Sequence, residues 1–112
     1  MCRLGAGTAV PAAVWGDGLV AVVQTADELS VVCPADRAPA GAAVEPGWTV
    51  YTVDGPLDFA LTGVLASLTA ALAAVGVPVF AVSSYDTDHL LVREADAPAA
   101  ERAWAAAGHR IA

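Results

Sequence analysis

An α+β fold on a split β-α-β plan is predicted by three features of this 112-residue chain. One segment carries apolar side chains at helical spacing. An alternating, β-branched segment precedes it, and two short apolar runs joined by a polar turn follow it. The length suits one ordinary domain or two very small fused units, and excludes a large multi-step enzyme.

The first half reads as β-rich. Residues 12–15, 19–24 and 29–33 form short strand-like runs around turns at Gly16-Asp17-Gly18 and Thr25-Ala26-Asp27, with no amphipathic helix among them. Three short strands bury little, so this half is expected to lean on the rest of the chain or on another chain. A connection over residues 34–47, with Pro34, Pro39, Gly41, Pro46 and Gly47, reads as irregular. The expected division is therefore a β-rich unit with its linker over residues 1–46 and a second unit over residues 47–112.

In the second unit, residues 48–53 alternate and are rich in β-branched and aromatic side chains, and the breaker Asp54-Gly55-Pro56 ends that strand. Leu61, Val64, Leu65, Leu68, Leu72 and Val75 fall on one helical stripe, which predicts a helix over residues 61–75. Its back, with Gly63, Ala66, Ser67, Ala70, Ala71, Ala73 and Ala74, is small and uncharged, as expected where a second helix or subunit approaches closely. Gly76 ends the helix, and the apolar run 77–82 suits a central buried strand. The turn Tyr85-Asp86-Thr87-Asp88 leads back into Leu90-Leu91-Val92. Asp96 and Pro98 open a second helix that runs to Ala107, Gly108 ends it, and residues 109–112 suffice for a short last strand. The resulting order, strand-helix-strand-strand-helix-strand, is the ferredoxin-like βαββαβ plan.

Composition narrows the function. Twelve acidic against five basic residues leave a charge of −7, which opposes binding to nucleic acid or to an anionic membrane surface. Much of the 57% hydrophobic content is alanine, which overstates the core. Residues 59–85 carry no charge, but Gly76 and Pro78 divide them, so no membrane span is expected. Cys2, in the normally frayed first residues, and Cys33 are too few for a disulfide framework, and glycine and proline interrupt any leader-like run at the start. A reducing cytoplasm fits best. His89 has Asp86 and Asp88 nearby, but strand alternation turns it away from them, so neither a metal nor a cofactor is expected. No nucleophile elbow or phosphate loop is present, and catalytic residues are not expected.

The segment 54–65 joins the first strand of the second unit to its helix. Thr62 can cap that helix, leaving the amides of Gly63, Val64 and Leu65 as unpaired donors at the positive end of the dipole, where a carboxylate is attracted. Ser83-Ser84-Tyr85-Asp86-Thr87-Asp88, on the neighbouring bend, adds hydroxyls, a ring and two carboxylates suited to an ammonium or a basic side chain. A small zwitterion would meet complementary charge at both ends.

These residues also carry a resemblance. Gly47-Trp48, Gly55-Pro56-Leu57-Asp58-Phe59, Thr62-Gly63-Val64-Leu65, Leu72-Ala73 and the run from Phe80 through Ser83-Ser84-Tyr85-Asp86-Thr87-Asp88 to Val92 closely resemble the ACT-domain proteins. Within that family the match is to small bacterial tandem-ACT amino-acid-binding proteins, related to the regulatory domains of aspartate kinase and to cytosolic arginine sensors. Residues 25–33 look like the N-terminal half of these proteins, a reduced ACT-like β-rich unit. The resemblance implies a non-catalytic amino-acid-binding regulator with a tandem arrangement and the amino acid between two units. It places Asp58, Thr62, Gly63, Val64 and Leu65 on one side of the ligand and Ser84, Tyr85, Thr87 and Asp88 on the other. Asp58 stands where the arginine sensors have glycine, and no effector domain accompanies the chain. A homodimer is expected through the uncharged helix back or a sheet edge. The alternative function is a ligand-free oligomeric adaptor or protein-interaction module.

Overall fold

The computed structural model describes residues 1–58 and 60–111; Phe59, part of the family-like run, and Ala112, the end of the expected last strand, lie outside them. The chain forms two compact units, Met1–Gly47 and Trp48–Ala112.

The first unit contains β1 (Cys2–Gly5), a 3-10 turn (Ala12–Val14), β2 (Ala21–Gln24), β3 (Glu28–Val32), a second 3-10 turn (Ala35–Arg37) and β4 (Ala43–Val44). The strands make one antiparallel sheet in the order β2-β3-β1-β4. Three expectations change here. Residues 12–15 are not a strand: they follow Pro11 into a 3-10 turn that buries Val14. Cys2 does not fray, because β1 pairs along β3 with Cys2 opposite Val31, which leaves Cys2 only 2% exposed. The linker is not wholly irregular, since Ala43–Val44 pairs with β1. β1 completes a core of this unit's own, built on Cys2, Val14, Leu29 and Val31, whereas both residues of β4 are exposed.

The second unit runs β5 (Trp48–Thr52), α1 (Val64–Ala74), β6 (Phe80–Ser83), β7 (Asp88–Arg93), a 3-10 turn (Glu94–Asp96) and α2 (Ala97–Ala106). Its antiparallel sheet has the order β5-β7-β6, so β7 lies between the two strands that α1 connects, as the ferredoxin-like plan requires. Leu72, Val77, Leu90, Val92, Ala100 and Trp104 form the core, with Tyr51, Val53, Leu65 and Leu68 packed against it. The Trp104 indole donates to the Leu68 carbonyl at 3.0 Å, which ties α2 to α1.

Both helices close with the same device. Gly76 (φ 73°) follows α1 and Gly108 (φ 93°) follows α2. Gly76 N–H donates to Ala73 and Val77 N–H to Leu72, while Gly108 N–H donates to Ala105 and His109 N–H to Trp104. These are Schellman closures, and the residue after the first glycine, Val77, packs in the same core as Leu72.

That closure explains two departures from expectation. The run 77–82 is not a central strand: Val77 belongs to the helix cap, Pro78 cannot donate to a ladder, and the strand begins only at Phe80, on the sheet's edge. The central strand is β7, where Leu90, Leu91 and Val92 are all buried. No strand follows α2 among the described residues. His109 is held by the cap, and its ring meets the Ser67 hydroxyl at 3.1 Å.

A candidate ligand site at the start of α1

The helix begins three residues later than its apolar stripe suggests. Gly63 sits at the N-cap with φ 84°, a left-handed conformation that cannot belong to a right-handed helix, so Leu61 falls outside and is exposed. Thr62 is not the cap, and no side chain caps this end. The first intrahelical bond runs from Ser67 N–H to the Gly63 carbonyl, which leaves the amides of Val64, Leu65 and Ala66 unused by the helix.

Hydrogen bonds fasten the preceding loop to the bend between β6 and β7. Val53 N–H donates to Asp88 at 2.9 Å, Leu57 N–H donates to Asp86 at 2.7 Å, and the Thr87 hydroxyl donates to the Val53 carbonyl at 2.7 Å. Gly55 lies so close that a Cβ there would come within 3.1 Å of Thr87 Cβ. Within the loop, Asp58 Oδ1 accepts from Ala60 N–H at 2.8 Å.

The bend is held from inside and from the side. Ser84 N–H and its hydroxyl both donate to the Thr87 carbonyl, and the Ser83 hydroxyl donates to Asp88 Oδ1 at 2.6 Å. His89 spans from Thr52 (Nδ1, 3.0 Å) to Ser84 (Nε2, 3.3 Å). Asp86 gives its backbone carbonyl to Leu57, and among the described residues no hydrogen bond or ion pair engages its carboxylate.

An open hollow of about 300 Å³ results. Every expected site residue except Thr62 lines it: Asp58, Gly63, Val64, Leu65, Ser84, Tyr85, Thr87 and Asp88. Leu57, Leu61, Ala66, Ser83 and Asp86 join them. Asp86 was legible as an acidic bend residue, whereas Leu57 and Ala66 enter through backbone bonding that no side-chain pattern announces. One wall thus offers helix amides and the positive end of a dipole, and the other offers carboxylates and hydroxyls. Among the described residues no Lys, Arg or His side chain lines the hollow.

A second, larger hollow of about 840 Å³ borders β5 and includes Tyr51, Val53, Leu68, Leu90 and Trp104. Its walls mix these apolar side chains with Thr52, Asp54, His109 and Arg110, and it shares Val64, Asp86 and Thr87 with the smaller hollow. The Tyr51 hydroxyl donates to Glu101 at 2.8 Å, and burial, reinforced by the Glu101 carboxylate, pushes its pKa up to about 12.

Among the described residues, no group of three or more His, Cys, Asp and Glu side chains is gathered as a metal would require, and no helix is long and apolar enough to cross a membrane. The Asp86, Asp88, His89 trio does not assemble into such a group.

Residues 43–103 match the family model of the ACT domain, a span that takes in all of β5, α1, β6 and β7 and both walls of the hollow. The chain belongs to the ACT-domain family. ACT domains are commonly regulatory ligand-binding modules and not catalysts. Residues 1–41 match a separate model, that of an N-terminal domain. The chain is also similar to an Agobacterium tumefaciens protein solved by X-ray crystallography, with 41% identity and a TM-score of 0.92 over 99% of this chain and 83% of the other. No curated protein matches.

Proposed function

We propose that this ACT protein is a non-catalytic amino-acid sensor whose ligand occupies the hollow at the start of α1. One observation carries the reading: an uncapped helix start and a group of bend carboxylates line the same small cavity. The α-carboxylate of the ligand accepts from the amides of Val64, Leu65 and Ala66. Its ammonium group, or a basic side chain, pairs with Asp86 and Asp88 across the hollow. Tyr85, 81% exposed at the rim, supplies a ring face that can cover the ligand. Binding shifts the population of the loop and bend conformations, and this is how occupancy becomes a signal.

The protein works as a homodimer in this reading, a role supported by two surfaces. Ala66, Ser67, Ala70, Ala73 and Ala74 remain exposed on α1, and β5 is the last strand of its sheet on one side. Light scattering with and without ligand measures that state.

The deciding experiment is a thermal-shift and calorimetric screen of the twenty amino acids. A specific amino acid at a hundred times its Kd is expected to stabilise the fold by about 2.7 kcal/mol. Asp86→Asn is expected to abolish that gain while leaving the ligand-free melting temperature nearly unchanged, and Asp88→Ala to abolish it with a modest drop in that temperature, because Ser83 loses its acceptor. Silence across the whole panel would favour a ligand-free oligomeric adaptor instead.

A further inference from the structure

Outside the ACT unit, the two cysteines of the chain come together. Cys2 lies opposite Val31 in the β1/β3 ladder, and Cys33 follows Val31 by two residues, so all three share one face. Both sulfurs belong to the same apolar cluster, Cys2 as a buried member and Cys33 packed against it. Cross-strand diagonal neighbours have α-carbons about 7–8 Å apart, somewhat beyond the roughly 4.4–6.8 Å that a disulfide usually spans, so closure requires the backbone at Cys33 to move toward β1. Cys33 lies one residue past β3, whose last ladder pair is Ala21 with Val32, so it can close that distance without breaking a ladder bond.

We propose that Cys2 and Cys33 are a disulfide-competent pair that a low-molecular-weight disulfide oxidises, joining the start of β1 to the end of β3. Cys33 reacts first, because Cys2 is buried and Cys33 is partly exposed. Its thiol loses a proton, and the thiolate attacks one sulfur of the small disulfide, forming a mixed disulfide and releasing one small thiolate. Cys2 then loses its proton and attacks the Cys33 sulfur, forming the protein disulfide and expelling the second small thiolate. The two protein thiols are oxidised by two electrons, the reagent is reduced to two thiols, and those thiols take up the two protons.

Burial, with the neighbouring Cys2 thiol, raises the Cys33 pKa. Little thiolate is therefore present at neutral pH, and closure is expected to be slow there and to accelerate in alkaline buffer. The cross-link removes conformational freedom from the unfolded chain between the two residues.

The test incubates the whole protein with oxidised glutathione, natively and in strong urea, followed by intact mass and peptide mapping. The expected native product is a monomer lighter by two hydrogens, with Cys2 linked to Cys33 and a raised melting temperature. The equilibrium constant for closure is expected to be at least about tenfold greater in the folded protein than in urea, because the fold raises the effective concentration of the thiols. Cys33→Ser should remove the intramolecular product. Persistent free thiols, a lasting glutathione adduct on Cys33, cross-linked dimers, or closure no more favourable in the native state than in urea would each overturn the proposal.

Discussion

Gly63 and Gly55 limit what the site tolerates, for different reasons. Among the described residues nothing lies within 4 Å of a Cβ built on Gly63, so the effect of Gly63→Ala there is conformational. A left-handed alanine costs about 1 kcal/mol relative to glycine. Urea unfolding should register that loss, together with weaker amino-acid binding as the helix start reorients. At Gly55 φ lies outside the left-handed region, but the added methyl meets Thr87 at 3.1 Å. Gly55→Ala is expected to cost about 1–3 kcal/mol by forcing the loop away from the bend, and to reduce ligand-induced stabilisation because the two walls separate. Neither residue announces its role by side-chain chemistry. The Gly55-Pro56 pair reads as a turn, and Gly63 reads as a first-turn residue after a Thr62 cap; only the backbone angle shows that Gly63 is itself the boundary.

At the scale of elements, periodicity located the segments and misjudged their ends and ranks. The stripe from Leu61 to Val75 marked α1, but a stripe does not register backbone conformation, so the left-handed Gly63 and the Schellman closure at Gly76 trimmed it. The apolar run 77–82 looked like a central strand because three different jobs, capping, core contact and pairing, all select apolar side chains. The strand that is central, β7, contains Asp88, His89 and Arg93 and so looked less buried than it is. β1 was missed because it lies in the first residues, where fraying is the ordinary expectation, and its pairing with β3 is long-range.

The helix pair offers two tests. Trp104 is buried and bonded to Leu68, so Trp104→Ala is expected to lose about 3–5 kcal/mol in chemical denaturation. Tyr51 packs edge-on against Trp104, with ring centroids 4.9 Å apart. Because its pKa is raised to about 12, the native state keeps the phenol proton after an unfolded chain has lost it. Tyr51 therefore contributes fully below about pH 10 and progressively less as pH rises from there toward 12. Melting temperature followed through that window should fall more steeply in the wild type than in Tyr51→Phe. Tyrosinate absorbance should show one high titration that the substitution removes.

Across the whole molecule, the charge of −7 and the absence of Lys, Arg and His from the hollow have a common consequence. An anionic ligand meets helix amides and hydroxyls but also the repulsion of the carboxylates, whereas a cationic or zwitterionic one is attracted by those carboxylates. Added salt is expected to weaken binding moderately by screening the exposed acidic groups. The ACT fold was legible because its helix spacing, its breaker and its acidic bend are each local patterns. The hollow was legible in its side chains, which is why eight expected residues converge. Its construction was less so, since backbone bonds from Val53 and Leu57 to the bend decide that these walls face one another.

Amide resonances of Val64, Leu65 and Ala66, followed by heteronuclear NMR while the amino acid selected by the thermal screen is titrated, test the central claim most directly. The expected result is a saturable shift of those three amides, accompanied by shifts at Tyr85 and Thr87 and absent in Asp88→Ala. Helix-start amides that stay fixed while the ligand binds, with the movement confined to another part of the chain, would contradict it.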